Sequence, residues 1–217
     1  MDFSVIDTKL VTTLTLLMLI GMGPKIALVP FLEKTKKFTP EMQRETGTLM
    51  VKTAVVTALV LFVTGALLMK LLHISSGGVA VAGGLVLVLL ALKMAAGPDH
   101  QPEPEHHTPI DHHQIAIYPL AIPYLLNPVG VTVLLVASNG VDTILGWVLV
   151  VGLIALVGAF DFLVFRNADK LSKRLNPTSL IISEIVFGIL LTALGVELIV
   201  KGLDTLGVVQ LAASAAH

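Results

Sequence analysis

Six long apolar runs constrain this chain more strongly than any other feature of its sequence. Each has about 20 residues, the length of helix that covers the roughly 30 Å hydrocarbon core of a bilayer. They occupy approximately residues 10–32, 49–72, 77–97, 115–138, 142–165 and 179–201. Only 13% of the residues are charged, against about 25% in a soluble domain. Because the runs have almost no polar face, the sequence predicts an all-α polytopic membrane protein with six transmembrane helices, not a soluble bundle.

Prolines break two of these runs, at Gly23-Pro24-Lys25 in the first and at Asn127-Pro128-Val129-Gly130 in the fourth. Proline has no amide hydrogen, so it leaves a carbonyl without its helical donor in a solvent that offers no replacement. Such breaks are tolerated where the freed groups face a protein interior or a water-filled cavity. A kink that only shapes packing explains one break equally well, but a pair, one in each half, favours a binding site.

The two breaks lie 104 residues apart, and other features keep the same spacing. The offset relates Ser75 to Ser179, at the starts of two runs, and Gly84 to Gly188 within them. With three spans in each half, the halves insert into the membrane in opposite directions. The sequence therefore predicts two inverted three-helix repeats, with broken helices one and four, as in many secondary transporters.

Three regions follow from this division, and the basic residues orient them. Residues 1–97 form the first three-span repeat, 98–113 an acidic linker rich in His and Pro, and 114–217 the second three-span repeat. Basic residues cluster in the first and fifth loops: Lys34, Lys36, Lys37, Arg44, Arg166, Lys170, Lys173 and Arg174. Because loops rich in Lys and Arg stay in the cytoplasm, both termini are predicted to lie outside.

The helix that resumes after each break exposes backbone amides at an end with a partial positive charge. A substrate carboxylate is well suited to dock there, as it does in transporters built on broken helices. Asn127 adds a donor and an acceptor, and Gly130 lets a ligand approach the backbone. The predicted substrate-binding residues are Gly23, Pro24, Lys25, Asn127, Pro128 and Gly130.

Ionisable residues inside apolar runs are costly unless they are paired or hydrated. The predicted intramembrane charges are Lys93, Asp161, Glu184 and Glu197. Glu184 or Asp161 is a candidate to carry a coupling proton, and the depth of Glu184 allows a contact with Lys25 or Lys93. The alternative for Lys93, Asp161 and Glu197 is that each reaches a nearby interface and binds nothing.

Histidines and carboxylates share the linker, and both are ligands that suit Zn²⁺ and similar ions. The weak metal candidates are His106, His107, His112 and His113. No pair of them has helical i, i+4 spacing, and prolines interrupt the segment, so a flexible solvated linker is predicted and no metal site is assigned. A divalent metal or other cation transporter that uses this loop is the runner-up function.

Other function classes find little support in the sequence. The chain has no Cys, no G-x-S-x-G or H-E-x-x-H motif and no phosphate-binding loop, so an enzyme and a bound cofactor are not expected. A net charge of −1 without a basic stripe argues against nucleic acid as a partner. The expected partners are a small-molecule solute and the lipid bilayer, and a homo-oligomer is left open.

Several short motifs together resemble the MarC family of bacterial and archaeal membrane proteins. They are Gly23-Pro24 through Thr39-Pro40-Glu41, His73-Ile74-Ser75, Ala82-Gly83-Gly84-Leu85, Pro119 through Asn127-Pro128, and Gly195-Val196-Glu197 through Leu203. The resemblance implies a six-span protein of the prokaryotic inner membrane, grouped with the LysE-type exporters. It also implies export of small neutral amino acids such as glycine and alanine, with a non-transporting membrane scaffold as a further alternative.

The chain departs from the family pattern at the breaks. The usual Asn-Pro-x-Gly is replaced by Gly23-Pro24-Lys25-Ile26, and the usual Gly-Pro-Gly by Asn127-Pro128-Val129-Gly130. A lysine beside the first break favours a more acidic solute or an internal counter-ion. The family also tends to have an acidic residue in place of Lys93 and a basic one near Glu184, an exchange of charge that favours their proximity.

Overall fold

The structure is a computed structural model that describes residues 8–95, 111–141, 143–168 and 177–210. All regular secondary structure in these ranges is helical. The helices are α1 (Thr8–Met22), α2 (Pro24–Thr35), α3 (Pro40–Leu71), α4 (Ser76–Ala95), α5 (His112–Ile115), a π-helical segment (Ala116–Leu125), α6 (Pro128–Gly140), α7 (Ile144–Arg166) and α8 (Pro177–Thr205). The π-helical segment is interrupted, because Tyr118 and Ile122 have extended backbone and the peptide bonds before Pro119 and Pro123 are cis.

Local capping rules account for where several helices begin. The Thr39 hydroxyl accepts a hydrogen bond from the Met42 amide at 3.3 Å, and Pro40 occupies the first turn of α3. The Ser75 hydroxyl likewise accepts from the Gly78 amide at 3.1 Å, just before α4. Both starts follow the preference for Ser or Thr just before the first turn of a helix.

Helical stretches long and apolar enough to cross a membrane number three in the described ranges: Leu10–Thr35, Pro40–Leu71 and Ile144–Arg166. A fourth is counted if His112–Leu125 and Pro128–Gly140, which meet at 70°, form one broken span. Ser76–Leu92 is apolar but shorter. The all-helical membrane fold is therefore confirmed with three to four candidate spans, and the count of six stays a prediction.

The long helices pack in antiparallel pairs. Gly47 and Val55 of α3 contact Phe165 and Gly158 of α7, so residue numbers rise along one helix as they fall along the other. In the same way Gly84 of α4 packs on Gly195 of α8 so closely that a Cβ at Gly84 would lie 2.6 Å from the Gly195 carbonyl oxygen. Small residues that let membrane helices approach therefore hold α4 against α8.

The helix boundaries repeat along the chain. The starts of α2 and α3 at residues 24 and 40 recur at 128 and 144, an offset of 104 in each case. The spacing inferred from a few residues thus holds for two helix starts. A further helix, α5, begins at His112 and includes His113, inside what the sequence predicts to be a flexible linker.

Apolar side chains cover the outside of the bundle as well as its core. Leu67, Leu89 and Leu163, on α3, α4 and α7, are each at least 60% exposed. A contiguous apolar surface of this kind is not stable in water, and in lipid it needs no cover. The buried core lies mainly where α1, α2, the π-helical segment and α6 meet α3 and α7.

Candidate functional site at the crossing of two broken helices

The first break separates α1 from α2 at Gly23. Gly23 has an extended backbone (φ −81°, ψ 164°), and Pro24 begins α2, whose amides are left uncapped by Gly23 because it has no side chain. A Cβ at Gly23 would overlap the Leu19 carbonyl, so no other residue fits this backbone without a shift. Together α1 and α2 form one 26-residue apolar stretch from Leu10 to Thr35, so the first break interrupts the helix without ending the span.

The second break separates the π-helical segment from α6 at Asn127. The Asn127 side chain is fully buried, and its Oδ1 accepts hydrogen bonds from the amides of Val129 at 2.9 Å and Gly130 at 3.2 Å. An asparagine is among the best N-caps because it satisfies amides that have no partner within the helix. The chain turns by 70° at this break.

Asn127 also satisfies the first break. Its backbone amide donates to the Gly21 carbonyl at 2.9 Å, and its Nδ2 donates to the Ile20 carbonyl at 2.7 Å. In a continuous helix the Ile20 carbonyl would accept from residue 24, but Pro24 has no amide hydrogen. The second half of the chain therefore supplies the donor that the proline of the first half removes.

Two glycines bring the broken helices together. A Cβ at Gly21 would overlap the Gly130 backbone, and a Cβ at Gly130 would overlap the Gly21 carbonyl. Gly130 thus allows a close approach of the α1 backbone, and the approach of a ligand to Gly130 stays a prediction. Gly21 is absent from the predicted site, and the signal that could have found it is a small residue directly before the break.

Asp161 lies close to this crossing in depth. Its side chain is fully buried in α7, and among the described residues neither carboxylate oxygen has a hydrogen-bond partner. One turn further along α7, the Phe165 ring packs edge-on against Phe31 of α2, with centroids 5.1 Å apart. Since α2 and α7 both run antiparallel to α3, Asp161 lies about 5 Å along the bundle from the level of Pro24.

Sequence comparison identifies the chain through most of its length. A sequence profile described as "MarC family integral membrane protein" matches residues 8–206. The chain belongs to the MarC family. The matched range of this MarC protein includes both helix breaks and every helix that the structure describes.

Relatives of this MarC protein carry names that state only their location in a membrane. A UPF0056 membrane protein of Methanocaldococcus jannaschii is 30% identical over 190 residues, which are 84% of this chain and 90% of the relative. The UPF0056 membrane protein YhcE of Escherichia coli K12 is 27% identical over 186 residues, 82% of this chain and 85% of the relative. A UPF0056 membrane protein of Aquifex aeolicus is 29% identical over 147 residues, 66% of this chain and 69% of the relative. No solved structure matches the chain.

The remaining predicted charges of this MarC protein differ in their surroundings. Glu197 pairs with Lys201 at 3.1 Å on an exposed face of α8, so it has a surface partner. Asp161 does not reach an interface, and that alternative is wrong for it because its side chain is fully buried. Lys25 is exposed, whereas Pro24 and Ile26 on either side are buried, so the structure does not bring Lys25 into the contact around Asn127.

Several predicted residues lie outside the described part of the chain. Lys93 and Glu184 fall in α4 and α8, but their side chains are outside the described part of the structure. His106 and His107 lie entirely outside the described residues. The proposed contacts of Glu184 with Lys25 or Lys93 therefore stay predictions.

Thr132 is a further polar group near the crossing that the sequence analysis does not select. It lies two residues after Gly130, is 3% exposed, and its hydroxyl has no hydrogen-bond partner among the described residues. A Cβ at Gly83 would overlap this hydroxyl, so α4 closes over it. A buried hydroxyl without a partner costs about 1–3 kcal/mol.

Proposed function

We propose that this MarC protein exports small neutral amino acids, or related small solutes that carry a carboxylate, through the crossing of its two broken helices. In this proposal six spans form two inverted repeats in the inner membrane of a prokaryote, with both termini outside. The observation that carries the proposal is the set of hydrogen bonds that Asn127 makes between the two halves.

Asn127 presents hydrogen-bond donors and an acceptor, as the ammonium and carboxylate groups of a zwitterionic amino acid do. Its donors reach the Ile20 and Gly21 carbonyls, and its acceptor Oδ1 reaches the amides at the start of α6. An ammonium group is a donor to the same carbonyls, and a carboxylate is an acceptor for the same amides. A substrate of this class can therefore replace Asn127 when the breaks separate, at little cost in hydrogen bonds.

The crossing also supports a preference for small substrates. Gly21 and Gly130 touch through their backbones and leave no space for a side chain between α1 and α6. Separation by a few ångström admits glycine or alanine more readily than leucine or phenylalanine. Gly23 offers no side-chain cap to the α2 amides, so these amides are a second set of donors to which a carboxylate can bind.

Asp161 is the group we propose to exchange a coupling proton. It is an ionisable side chain buried without a hydrogen-bond partner, about one turn from the level of the α2 N-terminus. A carboxyl group in such a place is costly when charged, so a change in its hydration as the helices move would change its protonation.

Counterflow in proteoliposomes tests the proposal. The purified protein should accumulate labelled glycine or alanine against an unlabelled internal pool, and leucine and glutamate should compete poorly. Asn127→Ala should abolish counterflow, while Asn139→Ala, which changes an exposed asparagine on the same helix, should preserve it. Equal counterflow by wild type and Asn127→Ala, at matched amounts of folded protein, would remove the site assignment.

Two other functions give distinct results in the same preparation. A non-transporting scaffold should show neither counterflow nor solute-dependent thermal stabilisation. A metal transporter that uses the His-rich linker should lose ion flux when residues 99–109 are deleted, a deletion that leaves the start of α5 at His112 intact. Amino-acid counterflow should survive that deletion.

A further inference from the structure

A cluster of one carboxylate and two imidazoles lies between α3 and α5. Glu45 is in the second turn of α3, and His112 and His113 begin α5. Asp111 fixes the start of α5, because its Oδ1 accepts a hydrogen bond from the His113 amide at 2.9 Å. The two imidazole rings then lie side by side, with centroids 4.2 Å apart, and both face Glu45.

The distances in this cluster match those around a small metal ion. Glu45 Oε2 lies 3.5 Å from His112 Nε2, and Glu45 Oε1 lies 3.9 Å from His113 Nε2. One ligand atom can be chosen from each residue so that all three lie within 4.8 Å of one another. Zinc–ligand bonds of about 2.0–2.2 Å with tetrahedral angles separate neighbouring ligand atoms by about 3.4 Å. Small side-chain rotations therefore suffice to bring the three onto one ion.

One atom of the cluster lies beside the Glu45 carboxylate but makes no hydrogen bond among the described residues. His112 Nε2 is buried from solvent and has no hydrogen-bond partner within the described ranges. Buried polar atoms are satisfied in the great majority of cases, so this nitrogen calls for a ligand. A metal ion satisfies it directly, because neutral imidazole binds metals through Nε2.

The surroundings leave space for an additional ligand. A cavity of about 440 Å³ adjoins the cluster and is lined by Glu45 and His113 together with Arg44, Lys52, Phe162 and Arg166. The cavity gives an ion access and leaves room for a water molecule to complete the coordination. The cationic side chains lower the affinity for a bare divalent ion, and they favour a fourth ligand that carries negative charge.

We propose that Glu45, His112 and His113 bind a divalent transition-metal ion of the Zn²⁺ type. Two imidazoles and one carboxylate suit Zn²⁺ better than Mg²⁺ or Ca²⁺, which prefer oxygen ligands alone. The ion joins α3 of the first half to α5 of the second, and it therefore stiffens the contact between the halves. The site shares no residue with the crossing, and it does not depend on amino-acid transport.

Metal binding to the purified full-length protein tests this inference. Titration with Co²⁺ should give the visible absorption of a four-coordinate ion at one equivalent, and Zn²⁺ should displace it. Glu45→Gln and His113→Ala should each weaken binding by at least tenfold, since loss of even an outer-sphere partner costs about 10–100-fold. Glu45 and His113 are more than half exposed at the side chain, so these substitutions should leave the fold intact.

Matched controls separate the cluster from the other histidines. His73→Ala changes a histidine at the far end of α3, and the combined replacement of His100, His106 and His107 by Ala changes the linker. Both should bind as wild type does. Loss of binding in the linker variant, retention of it in Glu45→Gln, or stabilisation by inorganic phosphate alone would each overturn the proposed site.

Discussion

The two helix breaks lie 104 residues apart at the starts of α2 and α6, but they have opposite chemical roles. At the first, Gly23 has no side chain, α2 starts without a side-chain cap and the apolar stretch continues to Thr35. At the second, Asn127 caps α6, and the chain turns by 70°. Asn127 also donates to the carbonyls that the first break leaves open, and Gly23 cannot return these bonds. The second break therefore donates hydrogen bonds and the first break accepts them. Two breaks that look alike in the sequence have different roles in the structure.

The largest expected effect comes from forcing the breaks apart. Gly21→Val places a side chain on the Gly130 backbone, so the helices must separate and the Asn127 bonds must lengthen. We expect a loss of more than about 3 kcal/mol, the upper end of what over-packing costs. Thermal unfolding in detergent measures it. Gly152→Val, where a Cβ meets nothing within 4 Å, is the control and should unfold as wild type does.

A double-mutant cycle tests whether Asn127 replaces the amide that Pro24 lacks. Asn127→Ala should cost about 2–3 kcal/mol, the sum of a lost cap and a buried carbonyl left unpaired. Pro24→Ala restores an amide at residue 24, so the same Asn127 substitution should cost about 1 kcal/mol less in that background. Additive losses would show that the Ile20 carbonyl does not depend on Asn127.

Asp161→Asn should change transport more than stability. The two side chains have the same shape, and the carboxylate has no hydrogen-bond partner to lose among the described residues. We expect a change in unfolding free energy within about 1 kcal/mol, because the substitution also removes a charge that is costly to bury. Counterflow should lose its dependence on pH. A variant with the wild-type pH dependence would exclude Asp161 as the proton carrier.

The smallest effect is expected at Glu197. Its pair with Lys201 is exposed and spaced i, i+4, and such pairs contribute about 0.3–0.5 kcal/mol. Glu197→Gln should therefore leave the unfolding midpoint and counterflow nearly unchanged. A transport defect as large as that of Asp161→Asn would mean that α8 takes part in coupling.

Local rules account for much of what the sequence predicts correctly. Proline without an amide hydrogen places the breaks at Pro24 and Pro128, and a threonine before proline and glutamate places the start of α3 at Pro40. The offset of 104 residues follows from the same local signals, because each marks a helix boundary. Each helix boundary depends only on residues a few positions apart, so it can be predicted from the sequence alone.

The tertiary structure alone decided which groups satisfy one another. Asn127 reaches Ile20 across 107 residues, and Glu45 meets His112 and His113 across the linker. Burial of Asp161 depends in the same way on the helices that surround α7. No local pattern encodes such contacts, because they arise from how helices with similar apolar faces cross. The sequence by itself determined where the helices break. The tertiary structure determined that Asn127 at the second break donates hydrogen bonds to the carbonyls of the first, because a carbonyl without a helical donor has no water to bond in lipid and depends on the donors that helix packing brings near it.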